Sequence, residues 1–472
     1  MPTPENLRKN HPKFIYEDYS WEISTNNSVT EFRSNLEITF HYSIEPGASF
    51  SPTLVIKNVP QEMLDRLGKE RIDSYIFNIG LAEMFSYWKS TTSPIIEINA
   101  GKLDQDQIDW WHKLLIKGMG EYFFVNNIKF TDEGFVKIES NSEKNHLVST
   151  QDHGSSTPDN NQENKILIPI GGGKDSSVTL EILENLKDIG TFVVNPTQAA
   201  LDTISVSEIK NNIEVDRTID PKLLELNKKG YLNGHVPISA FFAFLSIFCA
   251  DLFGYSHVAI SNERSSNEGN VQFCDKEINH QYSKTYEFEN DFQEYTKKYL
   301  PENTPLYFSF LRPLYELQIA EIFARMDKYH PVFKSCNRGQ KTNSWCGECS
   351  KCLFAYVIIF PFMENQKIHS FFGKDMFADN NLWPIAQELL GIGEKKPLEC
   401  VGTHEETIAA FYLSIKKYVD SDQKLPLLLQ IVQENIMKNE ENLEERSQAI
   451  LSSWNEENSI PKNLEEELKK HV

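Results

Sequence analysis

The stretch "ILIPIGGGKDSSVTLEIL", residues 166–183, carries the turn on which the fold depends. An apolar run of strand character ends in three glycines, followed by Lys174, Asp175 and two serines, and apolar residues then resume at helical spacing. Consecutive glycines after a strand let the backbone approach a ligand closely. A helix starting just beyond aims unpaired N–H groups and its positive dipole end at the same point. The expected tenant is an anion. The plainer alternative is a glycine-rich turn in which Asp175 only caps the next helix, since Asp and Ser are favoured caps.

Working outward, "KILIPI", a helix from about Ser176 to Leu186 and the strand "GTFVVNP" make a βαβ unit. A helix around Ala240, the strand "HVAIS" and a helix from Leu317 to Met326 continue the alternation. The expected fold class is therefore α/β, a parallel sheet with helices on both faces. Upstream, "EFRSNLEITFHYSI" and "TLVIKNV" read as strands around a turn, residues 60–88 show helical spacing, and a strand "PIIEINA" and a helix from Asp104 to Met119 follow. These elements predict an N-terminal α+β domain over 1–138. Residues 139–164 are polar and rich in Ser, Asn and Asp, and predict a flexible linker. The α/β domain is expected over 165–400, followed by a charged helical region over 401–472.

At 472 residues with 40% hydrophobic content the chain has ample material for real cores, and a formal charge of −21 argues against nucleic acid as a partner. The N-terminal residues lack the apolar core of a signal peptide. The longest apolar stretch, from Val236, is interrupted by Asp251 and reads as a buried helix rather than a membrane span. The expectation is a soluble, cytoplasmic protein. Of seven cysteines, Cys336, Cys346, Cys349 and Cys352 crowd into "SCNRGQKTNSWCGECSKCLF", spaced C-x9-C-x2-C-x2-C. That clustering predicts metal binding in a reducing compartment. Four thiolates suit a structural, tetrahedral zinc; an iron–sulfur cluster is the rival, weakened because no further cysteine follows at short distance.

The glycine turn is neither G-x-x-x-x-G-K-[ST] nor G-x-G-x-x-G. It resembles the S-G-G-x-D-S pyrophosphate (PP) loop of the ATP pyrophosphatases, with Gly172, Gly173, Asp175 and Ser176 on matching positions and Gly171 in place of the serine. The resemblance implies that Gly171, Gly172, Gly173, Lys174, Asp175 and Ser176 hold ATP phosphates, with Mg2+ neutralising the leaving pyrophosphate. Turn and cysteine cluster together look like 7-cyano-7-deazaguanine synthase over about 165–360.

The whole chain resembles the ATP-dependent UDP-N-acetylmuramoyl-L-alanyl-L-glutamate epimerases of peptidoglycan synthesis, in "GGGKDSSV", "SNERSSNEGN", "NHQYSK", "CGECSKC" and "PLECVGTHEE". This implies an isomerase with a small-molecule, UDP-linked muramoyl dipeptide substrate. ATP would adenylate a glutamate carboxylate, a base would remove the α-proton, and return of a proton from the other face followed by hydrolysis would give D-glutamate and AMP. The physics is consistent: a mixed anhydride removes the negative charge that opposes carbanion formation. Proton carriers are sought among Glu263, His280, Lys284, Cys274 and Cys400, several of them in the polar stretch 259–292 after an apolar strand. Arg264, Lys284 and Arg312 are the expected grips on anionic substrate. The alternatives are an ATP-dependent ligase or amidating enzyme of the deazaguanine-synthase kind and a tRNA-thiolating protein, the second opposed by the net acidity.

Overall fold

The computed structural model describes residues 2–28, 31–144, 165–186 and 188–472. Among these, eleven strands join one mixed sheet: β1 Lys13–Ser28, β2 Glu31–Glu45, β3 Ala48–Phe50, β4 Thr53–Ile56, β5 Ile95–Ile98, β6 Lys137–Ser140, β7 Ile166–Pro169, β8 Ile189–Val194, β9 Asn212–Thr218, β10 His257–Glu263 and, later in the chain, Leu306–Leu311. Between the last two, β11 Val271–Phe273 and β12 Lys276–Ile278 form a separate hairpin, which makes Leu306–Leu311 β13. The order across the large sheet is β13-β10-β7-β8-β9-β4-β2-β1-β5-β6, with β3 on β2.

Strands β13, β10, β7, β8 and β9 are mutually parallel, as the βαβ reading predicts. The sheet does not end there. Thr53 of β4 pairs antiparallel with Thr218 of β9, and the antiparallel β4, β2 and β1 lead on to the parallel β5 and β6. Segments expected to form two domains thus share one sheet. The expected linker begins inside β6, and its remainder from 145 to 164 lies outside the described residues.

Alternation along the parallel strands feeds two cores, one on each face. Leu167, Phe192 and Val258 join a core with the helices Lys69–Glu83 and Ile238–Phe253; Ile166, Ile168, Val193 and Ala259 join a second with Glu316–Phe323, Ser350–Ile359 and His404–Asp420. The apolar stretch from Val236 is the helix Ile238–Phe253, packed in the first core, and no helix among the described residues is long and apolar enough to cross a membrane. The expected helix after the glycines starts two residues early, at Lys174, and ends at Leu183. The long strand β1 was not legible from its sequence; a bulge between Tyr16 and Asp18 breaks its alternation.

Candidate active site

In the parallel half, β7 has β8 and β9 on one side and β10 and β13 on the other, so successive connections diverge between β7 and β10. Open α/β sheets bind ligands outside the carboxyl ends of their strands at such a point. A cavity of about 650 Å³ lies there, lined by Gly171, Gly173, Lys174, Asp175 and Ser176 after β7, Asn195 after β8 and Glu263 at the end of β10.

The glycines divide the labour. Gly172 has φ +84°, and a Cβ on it would stand 2.6 Å from the backbone nitrogen of Ala200, so this position requires glycine. Its carbonyl accepts from the Lys334 backbone N–H at 2.8 Å, which ties the turn to the segment before the cysteines. Gly171 meets nothing within 4 Å and Gly173 only Ser335 at 3.9 Å, leaving open space above both. The ten-residue helix Lys174–Leu183 is preceded by Gly173 and has no side-chain cap. Asp175 therefore does not serve as the cap that the plainer reading assigned it, and the first-turn residues Lys174, Asp175 and Ser176 line the cavity. The Ser176 hydroxyl donates to the Gly173 carbonyl at 3.2 Å and braces the turn.

Charge is concentrated below this turn. Lys174, nearly buried, bonds to Asp175 and Glu316. Burial opposes its charge, but the two carboxylates outweigh burial and hold its pKa above the ordinary lysine value. Glu263 is 4% exposed and lines the cavity, and among the described residues its carboxylate accepts no hydrogen bond. Burial and then Asp175 raise its pKa, against Lys284, Lys174 and Arg312. Glu316 is raised by the same two causes.

Next to Glu263 in the cavity, Lys284 donates to Cys400 Sγ at 3.2 Å, and His280 Nδ1 bonds to the Glu121 carboxylate, with His235 3.7 Å from the same oxygen. Burial would raise the Cys400 thiol, but Lys284 and His280 outweigh it and bring it to about 5. Burial would lower His280, but Cys400 and Glu121 lift it to about 9. His235 falls to about 4, through burial and then the neighbouring His280. Asn270 clamps this wall: its side-chain oxygen accepts from His280 N at 2.8 Å and its amide donates to the Pro397 carbonyl at 2.7 Å.

The structure thus brings together Glu263, His280, Lys284, Cys400 and the glycine turn, and keeps three other expected residues away. Cys274 sits with Asp275 at the tip of the β11–β12 hairpin, both at positive φ. Arg264 stacks 4.4 Å over Tyr315 and donates to Ser453. Arg312 is fully buried against Glu289, and donates at 2.6 Å to the backbone carbonyls of both Glu263 and Lys284. It positions two cavity residues instead of meeting a ligand. Glu121, His235 and Glu316 escaped sequence reading because each lies far along the chain from the glycine turn and from Cys400, whereas Lys334 and Lys351 stand beside and within the cysteine segment without a spacing that marks them as cavity residues.

The four cysteine sulfurs lie within 4.8 Å of one another. Their separations of 3.5 Å (Cys349–Cys352), 3.6 Å (Cys346–Cys352) and 4.0 Å (Cys336–Cys349) sit near the edge of a ZnS4 tetrahedron, about 3.8 Å for a Zn–S length of about 2.3 Å. The donor set fits zinc. Cys336 itself lines the cavity with Lys334, Ser335 and Lys351, so the cluster shapes one wall.

Fold and site define an open-sheet α/β protein with a polar cavity at the sheet's switch point and, beside it, four cysteines whose geometry suits a metal ion. The chain belongs to the MurL family: the MurL N-terminal domain matches residues 9–310 and the MurL C-terminal domain residues 332–448. It is similar to proteins named UDP-N-acetyl-alpha-D-muramoyl-L-alanyl-L-glutamate epimerase. The one from Micromonospora sp. is 36% identical over 305 residues, 63% of this chain and 65% of the relative. That from Salinispora tropica is 39% identical over 252 residues, 52% and 55%. That from Xanthomonas oryzae pv. oryzae is 29% identical over 384 residues, 79% and 81%. The match therefore spans less than two thirds of the length of the first two. No solved structure matches the chain.

Proposed function

We propose that this chain is an ATP-dependent isomerase that converts the terminal L-glutamate of UDP-N-acetylmuramoyl-L-alanyl-L-glutamate to D-glutamate, in the cytoplasm, for peptidoglycan synthesis. The observation that carries the reading is the uncapped helix start at Lys174, opening beneath Gly171 and Gly173 into the cavity that also holds Glu263 and Lys284. Family membership and the names of the relatives support it.

In this reading the turn acts as the PP loop of an ATP pyrophosphatase. The N–H groups of the first helical turn, with Lys174, hold the phosphates while a glutamate carboxylate is adenylated. Asp175, exposed to the cavity and repelled by Glu263 and Glu316, is the residue that would hold Mg2+, which supplies charge neutralisation of the pyrophosphate. The cysteine cluster would hold zinc as a staple for the wall bearing Lys334 and Lys351.

In this reading Glu263 moves the α-proton. Its raised pKa makes it a stronger base than an exposed carboxylate, and Lys284 beside it stabilises negative charge developing on the carbonyl. Product analysis of radiolabelled ATP tests the reading. The expected result is substrate-dependent release of AMP and pyrophosphate in equal amounts; ADP and phosphate, or no nucleotide turnover, would overturn it.

A further inference from the structure

Cys400 is set apart from the other thiols among the described residues. Cys249 is fully buried in the apolar core, Cys274 is on a hairpin tip, and four form the cluster that suits a metal. Cys400 instead lines the cavity between two cations, Lys284 and His280.

Three distant segments build this arrangement. Glu121, from the helix Gly120–Val125, takes His280 Nδ1, and His280 lines the same cavity as Cys400 and acts on its thiol. Glu399 accepts from Ser350 Oγ at 2.6 Å and from the Lys351 N–H at 3.1 Å, which fixes the residue next to Cys400. Thiol, imidazole and orienting carboxylate in series is the arrangement of an activated nucleophile.

We infer that Cys400 is a covalent acceptor: its sulfur attacks the activated glutamate carbonyl and expels AMP, so that the α-proton is exchanged on a thioester. The inference rests on the activation step proposed above. In the first step the S–C bond forms and the C–O bond to the AMP phosphate breaks, the electron pair leaving with AMP. In the last, water adds to the same carbonyl, the C–S bond breaks and the sulfur leaves as thiolate. The two protons released go to solvent through His280. The sum is hydrolysis of ATP to AMP and pyrophosphate around an unchanged enzyme.

The balance of basicity favours this role over proton abstraction by sulfur. A thiolate held between Lys284 and His280, with Lys351 also near, is abundant at neutral pH but weakly basic. It is therefore a poor match to a carbon acid, yet adequate against an acyl phosphate with a good leaving group. Sulfur donates weakly into a carbonyl, so a thioester keeps the α-proton acidic. Glu263, which shares the neighbour Lys284 with Cys400, remains free to move it.

The test uses the full chain with ATP, Mg2+ and UDP-N-acetylmuramoyl-L-alanyl-L-glutamate, quenched in acid within a turnover and read by intact mass and peptide mapping. The expected result is a substrate adduct, less one water, on the peptide containing Cys400, removed by neutral hydroxylamine. Cys400→Ala is expected to lose α-deuterium exchange by more than ~10²-fold while still releasing a burst of pyrophosphate. An unmodified wild-type chain during steady exchange, or exchange by Cys400→Ala within tenfold of wild type, would overturn the inference and leave activation standing. A wild-type chain that releases no pyrophosphate would overturn both.

Discussion

Two buried ionic groups, one on each side of the sheet's junction, are built to opposite ends. In the first, Glu83 at the end of helix Lys69–Glu83 accepts from Arg217 of β9 at 2.8 and 3.0 Å, and Ser86 takes a further guanidinium bond at 3.0 Å. Burial lifts Glu83 above the ordinary carboxylate range despite Arg217, so the bidentate pair is what keeps a charge there. It joins an N-terminal helix to the parallel strands. In the second group, Asp175, Glu263 and Glu316 face Lys174 and Lys284, and Glu263 has no hydrogen-bond partner on its carboxylate among the described residues. Matched charges hold the structure; the mismatched group is left reactive by repulsion and desolvation.

Substitutions should separate the two. Glu83→Ala strands Arg217 in the interior and should cost about 3–5 kcal/mol of stability, read by urea or thermal denaturation. A cost below about 1 kcal/mol would show the pair to be replaceable. Glu263→Gln removes a repelled charge, so its melting temperature should equal or exceed that of wild type, while α-proton exchange should fall by ~10²–10⁴-fold. A large loss of stability there would erase the contrast.

Next in size is the pH dependence of exchange. Cys400 works as thiolate and is depressed to about 5, so activity should rise as pH increases through that value; His280 is lifted to about 9, so loss of its proton should lower activity above it. Because the groups interact, the limbs belong to the pair, with Lys284, Lys351, Glu121 and His235 around it. Glu121→Gln should shift the alkaline limb downward, whereas a purely structural Glu121 would leave it in place.

The smallest effects concern the glycines. Gly172→Ala meets both a positive φ and the Ala200 backbone and should cost about 1–3 kcal/mol; Gly171→Ser enters open space and should change stability by less than about 0.5 kcal/mol.

What was legible in the sequence was whatever consecutive residues write down. The demand for bare backbone at 171–173, the wall that follows β10 and the cysteine spacing each occupy one short segment. The junction of β4 with β9 was not legible, because strand pairing across 160 residues leaves no local pattern. Nor was the inward turn of Arg312, whose charge suggested a substrate grip but whose surroundings are Glu289 and two carbonyls. Glu121 reads as an ordinary first-turn acid of the helix Gly120–Val125 until the fold sets it against His280.

In the proposed reaction ATP activates the glutamate so that its α-proton can leave. Incubating the protein with UDP-N-acetylmuramoyl-L-alanyl-L-glutamate in heavy water and following the α-position by NMR tests it directly. Deuterium should enter with ATP and Mg2+ and not without ATP. Exchange at an undiminished rate in the absence of nucleotide would contradict it.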